Sequence, residues 1–496
     1  MQNETRIAAV DLGSNSFRLE IGRVSGGQIH RIQYLKETVR LGGGLDERRN
    51  LTPVAMQRGW DCLARFAERL ADFKQAQVRA VATQTLREAR NRDQFLAHAH
   101  DILGFPIDVI SGREEARLIY QGVAHLLPRS NEKRLVVDIG GRSTELILGQ
   151  AFDARVMESY RVGSVTWSMK HFPSGEFTAD AFRTAEIAAK AVLDEALNAY
   201  RRDAWEVAYG SSGTIGAVGD VLTGAGWPAG SVTREGLDWL LDRLLKAQSA
   251  DRLRLDGIKE DRRAVIGGGV SVLRAVFDLL GIETMQAAQG ALRQGVLYDL
   301  VDREQAQADI CATTVQRLAR KFEVDTAQAQ RVGKVARHLF NLLHAGAAAA
   351  STDRSRHKLD WAAQLHEIGC HISHSDYHKH GAYILDNTDA LGFAMPELHD
   401  LGLLVLGHRG KLRKLAVDFE DTLFVHQLLC LRLAVILCHA RRDPDLKDME
   451  LETSADHRLR LTCRPGWEDA FPQSAHLLRE EVAAWQKTPW TLQLAN

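Results

Sequence analysis

The sequence predicts an α/β fold in which two similar lobes face each other across a cleft, followed by an all-α domain and a small α+β domain. A repeat is the first reason, because residues 10–22 (VDLGSNSFRLEIG) return as residues 137–149 (VDIGGRSTELILG). A repeat of this kind predicts two related structural units. The second reason is the alternation of strands and helices up to about residue 304, which is typical of sheets covered by helices. Beyond that residue the pattern is helical until about residue 450.

Each lobe opens with three apolar runs that predict adjacent strands. The first lobe has predicted strands at 6–11, 16–24 and 28–41 with a turn at Gly26 and Gly27, then helix 52–73, strand 78–83, helix 93–103, strand 106–110 and helix 113–127. The second has predicted strands at 134–138, 144–149 and 154–160, then helix 178–200, strand 206–209, helices 235–248 and 262–280, strand 284–288 and helix 291–301. Runs at 450–453 and 458–463 predict a late hairpin before a helix at 474–486. The resulting domains are 1–129, 130–304, 305–449 and 450–496.

Composition indicates a globular chain without a strong overall field. The 496 residues include 64 acidic and 63 basic side chains, so the whole molecule would not attract a nucleic acid or another polyanion. Binding of a phosphate chain must then rely on local basic clusters. The six cysteines show no CxxC spacing, which argues against a disulfide framework and a zinc site. The apolar stretches are too short to span a bilayer, and we therefore expect a cytoplasmic protein without a transmembrane segment.

The repeated turns are the first candidate binding site. Each copy has the form Asp-x-Gly-x-x-Ser after a buried strand, at Asp11–Ser16 and at Asp138–Ser143. Backbone N–H groups of such Gly/Ser turns can bind anions, and glycine lets an oxygen anion approach closely. Two ordinary hairpin turns are the simpler alternative, but the duplication favours phosphate binding. The candidate residues are Ser14, Asn15, Ser16, Gly140, Gly141, Arg142, Ser143 and Thr144.

Several motifs together identify a family. They are DLGSNS at 11–16, ATQTLR at 82–87, ISGREEA at 110–116, DIGGRSTE at 138–145, GSSGT at 210–214, GGG at 267–269 and ALRQGV at 291–296. In this order and spacing the chain resembles the exopolyphosphatase/guanosine pentaphosphate phosphohydrolase family of the actin-like ATPase superfamily, across nearly its whole length. The resemblance implies two actin-like, ribonuclease-H-like lobes, a homodimer, and Ser212 and Gly213 as further phosphate-binding residues. Arg142 departs from the pattern, since relatives have a third glycine there. Its side chain either turns outward or adds positive charge at the phosphate site.

The resemblance implies that Glu115 is the catalytic base and that Arg87 stabilises charge on the transferred phosphoryl group. Ser111 and Glu114 form a predicted capping box at the start of the same helix, which leaves the Glu115 side chain free for another role. A carboxylate in the first turn of a helix is common without any catalytic purpose. The hypothesis is that Glu115 deprotonates a water molecule for in-line attack on the terminal phosphorus.

Acidic residues beside the repeated turns predict a magnesium site. Asp138 ends a buried strand and Glu145 lies on the next one, a placement that suits a hard cation held by few protein ligands, waters and phosphate oxygens. The resemblance assigns Asp138 and Glu145 to handling Mg²⁺ and substrate, and Asp11 is expected to help through a water molecule.

The helical domain carries remnants of another metal site. His366 and Glu367 resemble the His-Asp signature of metal-dependent phosphohydrolases, His338 is a candidate earlier ligand, and Val435 stands near the expected last aspartate. We therefore predict a degenerate HD-like domain without catalysis. Its role would be to bind the distal substrate through basic runs, above all through Arg409, Lys411, Arg413 and Lys414; the other runs are at 354–358 and 441–442. A solvated charged face is the alternative.

These observations favour an exopolyphosphatase that removes terminal orthophosphate from inorganic polyphosphate with Mg²⁺. The nearest alternative is a guanosine pentaphosphate (pppGpp) 5′-phosphohydrolase, or an enzyme with both activities. An actin-like kinase is disfavoured because Glu115 is suited to activate water. A non-enzymatic sensor is disfavoured because Glu115, Asp138 and Glu145 are all present.

Overall fold

The computed structural model describes residues 5–25, 28–127, 130–304, 310–345, 349–388, 390–454 and 456–495. The predicted turn at Gly26 and Gly27 lies outside these residues, as does the side chain of Arg354. The chain divides into two compact units, Met1–Ala308 and Asp309–Asn496. Each of the helices in the described part is too short or too polar to serve as a membrane span. The domain boundaries predicted near residues 129, 304 and 449 stay predictions.

Lobe I of the first unit is a five-stranded sheet with four helices. The strands are β1 (Thr5–Leu12), β2 (Ser16–Ser25), β3 (Gln28–Thr38), β4 (Val78–Ala82) and β5 (Ile107–Val109). The helices are α1 (Pro53–Leu70), α2 (Gln84–Glu88), α3 (Arg92–Leu103) and α4 (Gly112–Leu126). The sheet order is β3-β2-β1-β4-β5, with β1 to β3 antiparallel and β1, β4 and β5 parallel. A meander followed by crossovers is the mixed sheet that the sequence predicts.

Lobe II repeats this plan around a six-stranded sheet. Its strands are β6 (Lys133–Ile139), β7 (Thr144–Gln150), β8 (Asp153–Tyr160), β9 (Val207–Ser211), β10 (Ser231–Thr233) and β11 (Thr284–Ala287), in the order β10-β11-β9-β6-β7-β8. Its helices are α5 (Ser164–His171), α6 (Ala179–Leu193), α7 (Ala196–Ala199), α8 (Ser212–Gly224), α9 (Arg234–Ala247), α10 (Glu260–Arg263) and α11 (Ile266–Leu280). The two meanders, β1–β3 and β6–β8, are therefore the structural copies of the sequence repeat.

The last helix of the first unit, α12 (Leu292–Glu304), returns to lobe I and packs against α4, β1 and β4. Buried charges join these elements: Asp299 of α12 accepts from Arg117 of α4 at 2.6 Å and from Arg79 of β4. Both carboxylate oxygens of Glu114 accept from Arg117 at 2.8 Å. We call Arg79, Glu114, Arg117 and Asp299 the buried ionic cluster. It holds the helix that carries Glu115.

The second unit is helical and ends in a three-stranded sheet. Its helices are α13 (Ile310–Lys321), α14 (Thr326–Leu343), α15 (Ala349–Leu365), α16 (Tyr377–Asp386), α17 (Met395–Gly407), α18 (Thr422–Leu437), α19 (Trp467–Ala470) and α20 (Pro472–Trp485). The strands are β12 (Glu450–Ser454), β13 (Arg458–Thr462) and β14 (Thr491–Ala495). Leu429 of α18, Leu459 of β13 and Trp485 of α20 belong to one continuous hydrophobic core. The guanidinium of Arg432 also donates to both carboxylate oxygens of Glu481.

Candidate active site

A cleft of about 410 Å³ lies in the first unit, between the two repeated turns. Most of the predicted site residues line it: Asp11, Ser14, Asn15, Ser16, Glu115, Asp138, Gly140, Gly141, Arg142, Ser143, Ser212 and Gly213. The turns of both repeat copies and the start of α4 therefore contribute residues to one cavity. This arrangement is what the hypothesis of a phosphate-binding cleft requires.

The two turns have the same local geometry. A Cβ atom on Gly13 would lie 3.0 Å from the carbonyl oxygen of Ser16, and one on Gly140 would lie 3.1 Å from that of Ser143. Both distances are tighter than most Cβ contacts, so glycine lets the backbone of each turn fold closely on itself. The N–H of Gly140 donates to the Ser143 carbonyl at 2.9 Å, which closes the second turn.

The repeat also sets one chemical difference between the lobes. Asp11 pairs with Arg18 across β1 and β2, whereas Asp138 pairs with Glu145 across β6 and β7. Arg18 donates to the Asp11 carboxylate at 3.1 Å. The same register position thus carries a cation in lobe I and a second carboxylate in lobe II, so only lobe II pairs two carboxylates at this register.

Helix α4 begins at the cleft and presents Glu115 in its first turn. The Ser111 side chain accepts from the N–H of Glu114 at 3.2 Å, as expected for an N-cap. Glu114 belongs to the buried ionic cluster described above, whereas Glu115 lines the cleft. The two adjacent glutamates therefore have separate environments, one structural and one facing the site.

Arg87 contacts Glu115 without lining the cleft. Its guanidinium donates to the Glu115 carboxylate at 3.1 Å and to the carbonyl of Ile110 at 2.7 Å. Arg87 lies at the end of α2, and its other contact is the side-chain oxygen of Gln84. Arg87 thus contacts the predicted base, and its expected role at the transferred phosphoryl group stays a prediction.

Burial raises the pKa values of two acidic groups that line the cleft, Glu115 and Asp138, and of Glu145 beside it. It raises the pKa of Glu115 to about 7, although the charge of Arg87 opposes the shift. Burial likewise raises the pKa of Asp138 to about 6 against a hydrogen bond from Ser211. The pKa of Glu145 lies well above its usual value because of burial and the nearby carboxylates of Glu115 and Asp138. Perturbed acids grouped in a cleft are characteristic of functional sites.

The donor set beside the second turn fits a hard cation only with outside ligands. Asp138 and Glu145 are register partners, both buried, and carboxylate oxygens are the ligands that Mg²⁺ prefers. In the part of the chain that the structure describes, no group of three or more His, Cys, Asp or Glu side chains is close enough to hold a metal by itself. Mg²⁺ usually keeps several waters and binds substrate phosphates, so a pair of carboxylates is consistent with such a site.

Ser212 and Gly213 lie where β9 meets α8. Ser212 has a φ of +80°, a conformation that costs free energy in a non-glycine residue and often marks a functional site. Its hydroxyl donates to the carbonyl of Ile139 at 2.8 Å, next to the second turn. A Cβ on Gly213 would lie 2.1 Å from the guanidinium of Arg262, so this cation is seated directly on the glycine.

Sequence reasoning missed the cations of the cleft. Its lining also includes Arg18, Lys36, Lys259, Arg262 and Arg293. Arg18 occupies the repeat position that is equivalent to Glu145, and Arg293 lies within the ALRQGV motif, so the sequence held a signal for both. The other three carry no local signal, because only the fold brings them to the turns.

Three predicted residues have other surroundings. Thr144 and Glu145 are buried outside the cleft lining: the Thr144 hydroxyl donates to the Val162 carbonyl at 2.5 Å, and Glu145 accepts from Ser159 at 2.7 Å. Arg142 lines the cleft, but its guanidinium also pairs with Glu88 at 2.8 Å. The Arg142 side chain is therefore turned toward lobe I.

The second unit holds the remaining predicted residues. Arg409, Lys411, Arg413 and Lys414 are exposed, and the Arg409 guanidinium lies over the Tyr377 ring. His366 is buried, while His338 is exposed on α14. The Glu367 carboxylate accepts from the guanidinium of Arg441 at 2.8 Å, so this acidic group is paired with a cationic side chain.

Comparisons with known proteins identify the chain. Residues 20–304 match the Ppx/GppA phosphatase family and residues 310–482 match domain III of Ppx/GppA phosphatases. The chain is 40% identical over 490 residues to the guanosine-5′-triphosphate,3′-diphosphate pyrophosphatase of Vibrio atlanticus, covering 98% of this chain and 97% of that protein.

Solved structures agree with the fold. An exopolyphosphatase from Cytophaga hutchinsonii is 25% identical with a TM-score of 0.54, covering 60% of this chain and 98% of that one. An exopolyphosphatase-like protein is 26% identical with a TM-score of 0.56, covering 62% of this chain and 100% of that one. The predicted fold class and family are confirmed, and the chain belongs to the Ppx/GppA phosphatase family.

Proposed function

We propose that this protein hydrolyses the terminal phosphoanhydride bond at the 5′ end of guanosine 5′-triphosphate 3′-diphosphate. The observation that supports the proposal is the cleft that Glu115, a buried carboxylate with a pKa of about 7, shares with the two repeated turns. The choice of substrate is supported by relatives 37% to 40% identical over nearly the whole chain, which are named for this nucleotide. Polyphosphate, which the sequence analysis favours, is thereby the second candidate.

In the proposed mechanism the turns hold the phosphate chain and Glu115 activates water. The Glu115 carboxylate accepts a proton from a water molecule, and the oxygen of that water attacks the terminal phosphorus in line. The bond between that phosphorus and the bridging oxygen breaks, and the bridging oxygen leaves with guanosine 5′-diphosphate 3′-diphosphate. Orthophosphate is the other product. Arg87 orients the base through their 3.1 Å contact.

Mg²⁺ would be held by Asp138 and Glu145, with Asp11 acting through a water molecule. When bound, the ion would neutralise charge on the phosphate oxygens. All three carboxylates are buried, and they would orient the ion when it is bound. Deprotonation of both Asp138 and Glu145 is favoured by a nearby cation, which offsets the burial that raises their pKa values.

The test is orthophosphate release from guanosine 5′-triphosphate 3′-diphosphate and from long-chain polyphosphate, measured side by side. We expect a higher kcat/KM for the nucleotide, and loss of release when EDTA removes Mg²⁺ and its return when Mg²⁺ is added. Release from polyphosphate alone would overturn the substrate assignment. Release that EDTA leaves unchanged would overturn the metal assignment.

A second candidate, hydrolysis of long polyphosphate, is favoured by the exposed basic run at 409–414. Changing Lys411, Arg413 and Lys414 together to glutamine is expected to weaken binding of long chains more than that of short ones. The reason is that each neutralised cation reduces counterion release, as in nucleic-acid binding. The measurement is KM for two chain lengths at several salt concentrations. Equal effects on both lengths would contradict a role in binding the distal chain.

The raised pKa of Glu115 predicts a pH dependence. A general base works only when deprotonated, so a pKa of about 7 leaves the base inactive at lower pH. We expect kcat/KM to rise about tenfold per pH unit below pH 7 and to level off above it. A profile measured from about pH 5 to about pH 9 checks this, with the enzyme returned to neutral pH as a control for denaturation. A flat profile below pH 7 would exclude Glu115 as the titrating base.

A further inference from the structure

A chain of hydrogen bonds crosses from lobe II to the proposed base in lobe I. Arg142, in the lobe II turn, donates to one oxygen of Glu88 at 2.8 Å. The other oxygen of Glu88 accepts from the side-chain nitrogen of Gln84 at 2.5 Å, and the Gln84 oxygen accepts from Arg87. Arg87 in turn donates to Glu115 at 3.1 Å. Each link joins side-chain atoms, and the route runs through one short helix, α2.

The contact between the lobes is closely fitted. The Arg142 guanidinium also donates to the carbonyl of Gly42 in lobe I at 3.2 Å. A Cβ on Gly42 would lie 2.9 Å from the Arg142 side chain, so a larger residue there would require the arginine to shift. The side chains of Arg142 and Glu88 are 19% and 13% exposed, which shields their charges from water.

The chemistry explains why such a link matters. The lobe II turn is proposed to hold the substrate phosphate, whereas the base belongs to lobe I. In-line attack requires the two to be aligned, and an error of about 1 Å can lower a rate by about 100-fold. A contact that fixes the turn relative to α2 also fixes Arg87, and with it the carboxylate that Arg87 orients.

We propose that Glu88 and Gln84 are positioning residues that couple the Arg142 turn of lobe II to Arg87 and Glu115 of lobe I. This inference rests on the proposed function, because it assigns these residues to the same reaction. The Arg142–Glu88 pair joins the two lobes, and through Gln84 and Arg87 it positions the base. The Arg142 side chain thus provides a hydrogen-bonded link between the two lobes.

Kinetics of matched charge-removing variants test the coupling. Arg142→Gln and Glu88→Gln are each expected to lower kcat about tenfold, and the double variant to lower it no further, because either change breaks the same link. Arg142→Lys is expected to restore part of the loss. Arg161→Gln is the control: Arg161 lies 3.8 Å from the same Glu88 carboxylate but is 71% exposed, and kcat should stay unchanged. Wild-type kcat in Glu88→Gln, or losses that multiply in the double variant, would overturn the proposal.

A second measurement is independent of turnover. Arg142→Gln is expected to speed hydrogen exchange of the amides in residues 84–88 of the free protein, with a melting temperature within about 3 °C of the wild type. Unchanged exchange in this segment would overturn the coupling. If the wild type releases orthophosphate from neither substrate, the proposed function fails, and the exchange experiment still decides whether the lobes are linked through Glu88.

Discussion

Replacing Glu115 by glutamine is expected to lower kcat by about 1,000-fold while substrate binding persists. General-base catalysis contributes about 100- to 10,000-fold, and glutamine keeps the size of the side chain but cannot accept the proton. The two repeated turns and the cations that line the cleft are unchanged by this substitution. The measurement is single-turnover phosphate release together with equilibrium binding of a labelled nucleotide.

The control for this variant is Glu235→Gln. Glu235 also lies in the first turn of a helix, α9, but it is exposed and outside the cleft lining. The Glu235→Gln variant should hydrolyse substrate at the wild-type rate. Near-normal turnover by Glu115→Gln would remove the proposed base from the mechanism, whereas loss of both binding and turnover would indicate a structural role.

Asp299→Asn is expected to destabilise the first unit by about 3–5 kcal/mol. The aspartate is buried and faces the guanidinium groups of Arg79 and Arg117, so its neutralisation leaves excess positive charge in the interior. Removing one partner of a buried ion pair typically costs this much, because the remaining charge has lost its compensation. Urea unfolding is best followed by hydrogen exchange in peptides from each unit, since the chain has two compact units.

The matched control is Asp278→Asn. Asp278 also faces two cations, Lys190 and Arg234, but its side chain is 30% exposed. We expect a loss below about 1 kcal/mol, because water screens exposed ion pairs. Peptides of the second unit should exchange as in the wild type in both variants. Equal stability losses for Asp299→Asn and Asp278→Asn would contradict the role assigned to the buried ionic cluster.

Local patterns were enough to predict the folding units of the two lobes. The duplicated strands and turns are strong signals. Apolar runs predict strands, glycines predict tight turns, and both can be recognised within a few residues of sequence. The prediction that the turns after Asp11 and Asp138 share a cleft with Glu115 followed from the repeat and the family motifs, and the structure brings these residues together. Ser111 was recognised as the N-cap of α4 because a serine just before a helix is a local signal.

Longer-range features were outside the reach of such patterns. Helix α12 was assigned to the second lobe by its position in the chain, yet it packs in lobe I through Asp299. Lys36, Lys259 and Arg262 look like ordinary surface cations in sequence. Thr144 was predicted to bind phosphate because it lies in the DIGGRSTE motif, but its hydroxyl donates to the Val162 carbonyl.

The fold class, the family, the two turns and the proposed base were predictable from sequence, because each depends on short motifs or on local hydrophobic patterns. The pKa of Glu115 and the residues that contact it became known from the three-dimensional structure alone. The pKa of Glu115 depends on burial and on charges from α2, β1 and β6, and the route from Arg142 to Glu115 depends on how the lobes meet. Electrostatic energies are set by distances through space and by exclusion of water, and neither quantity is written in local sequence.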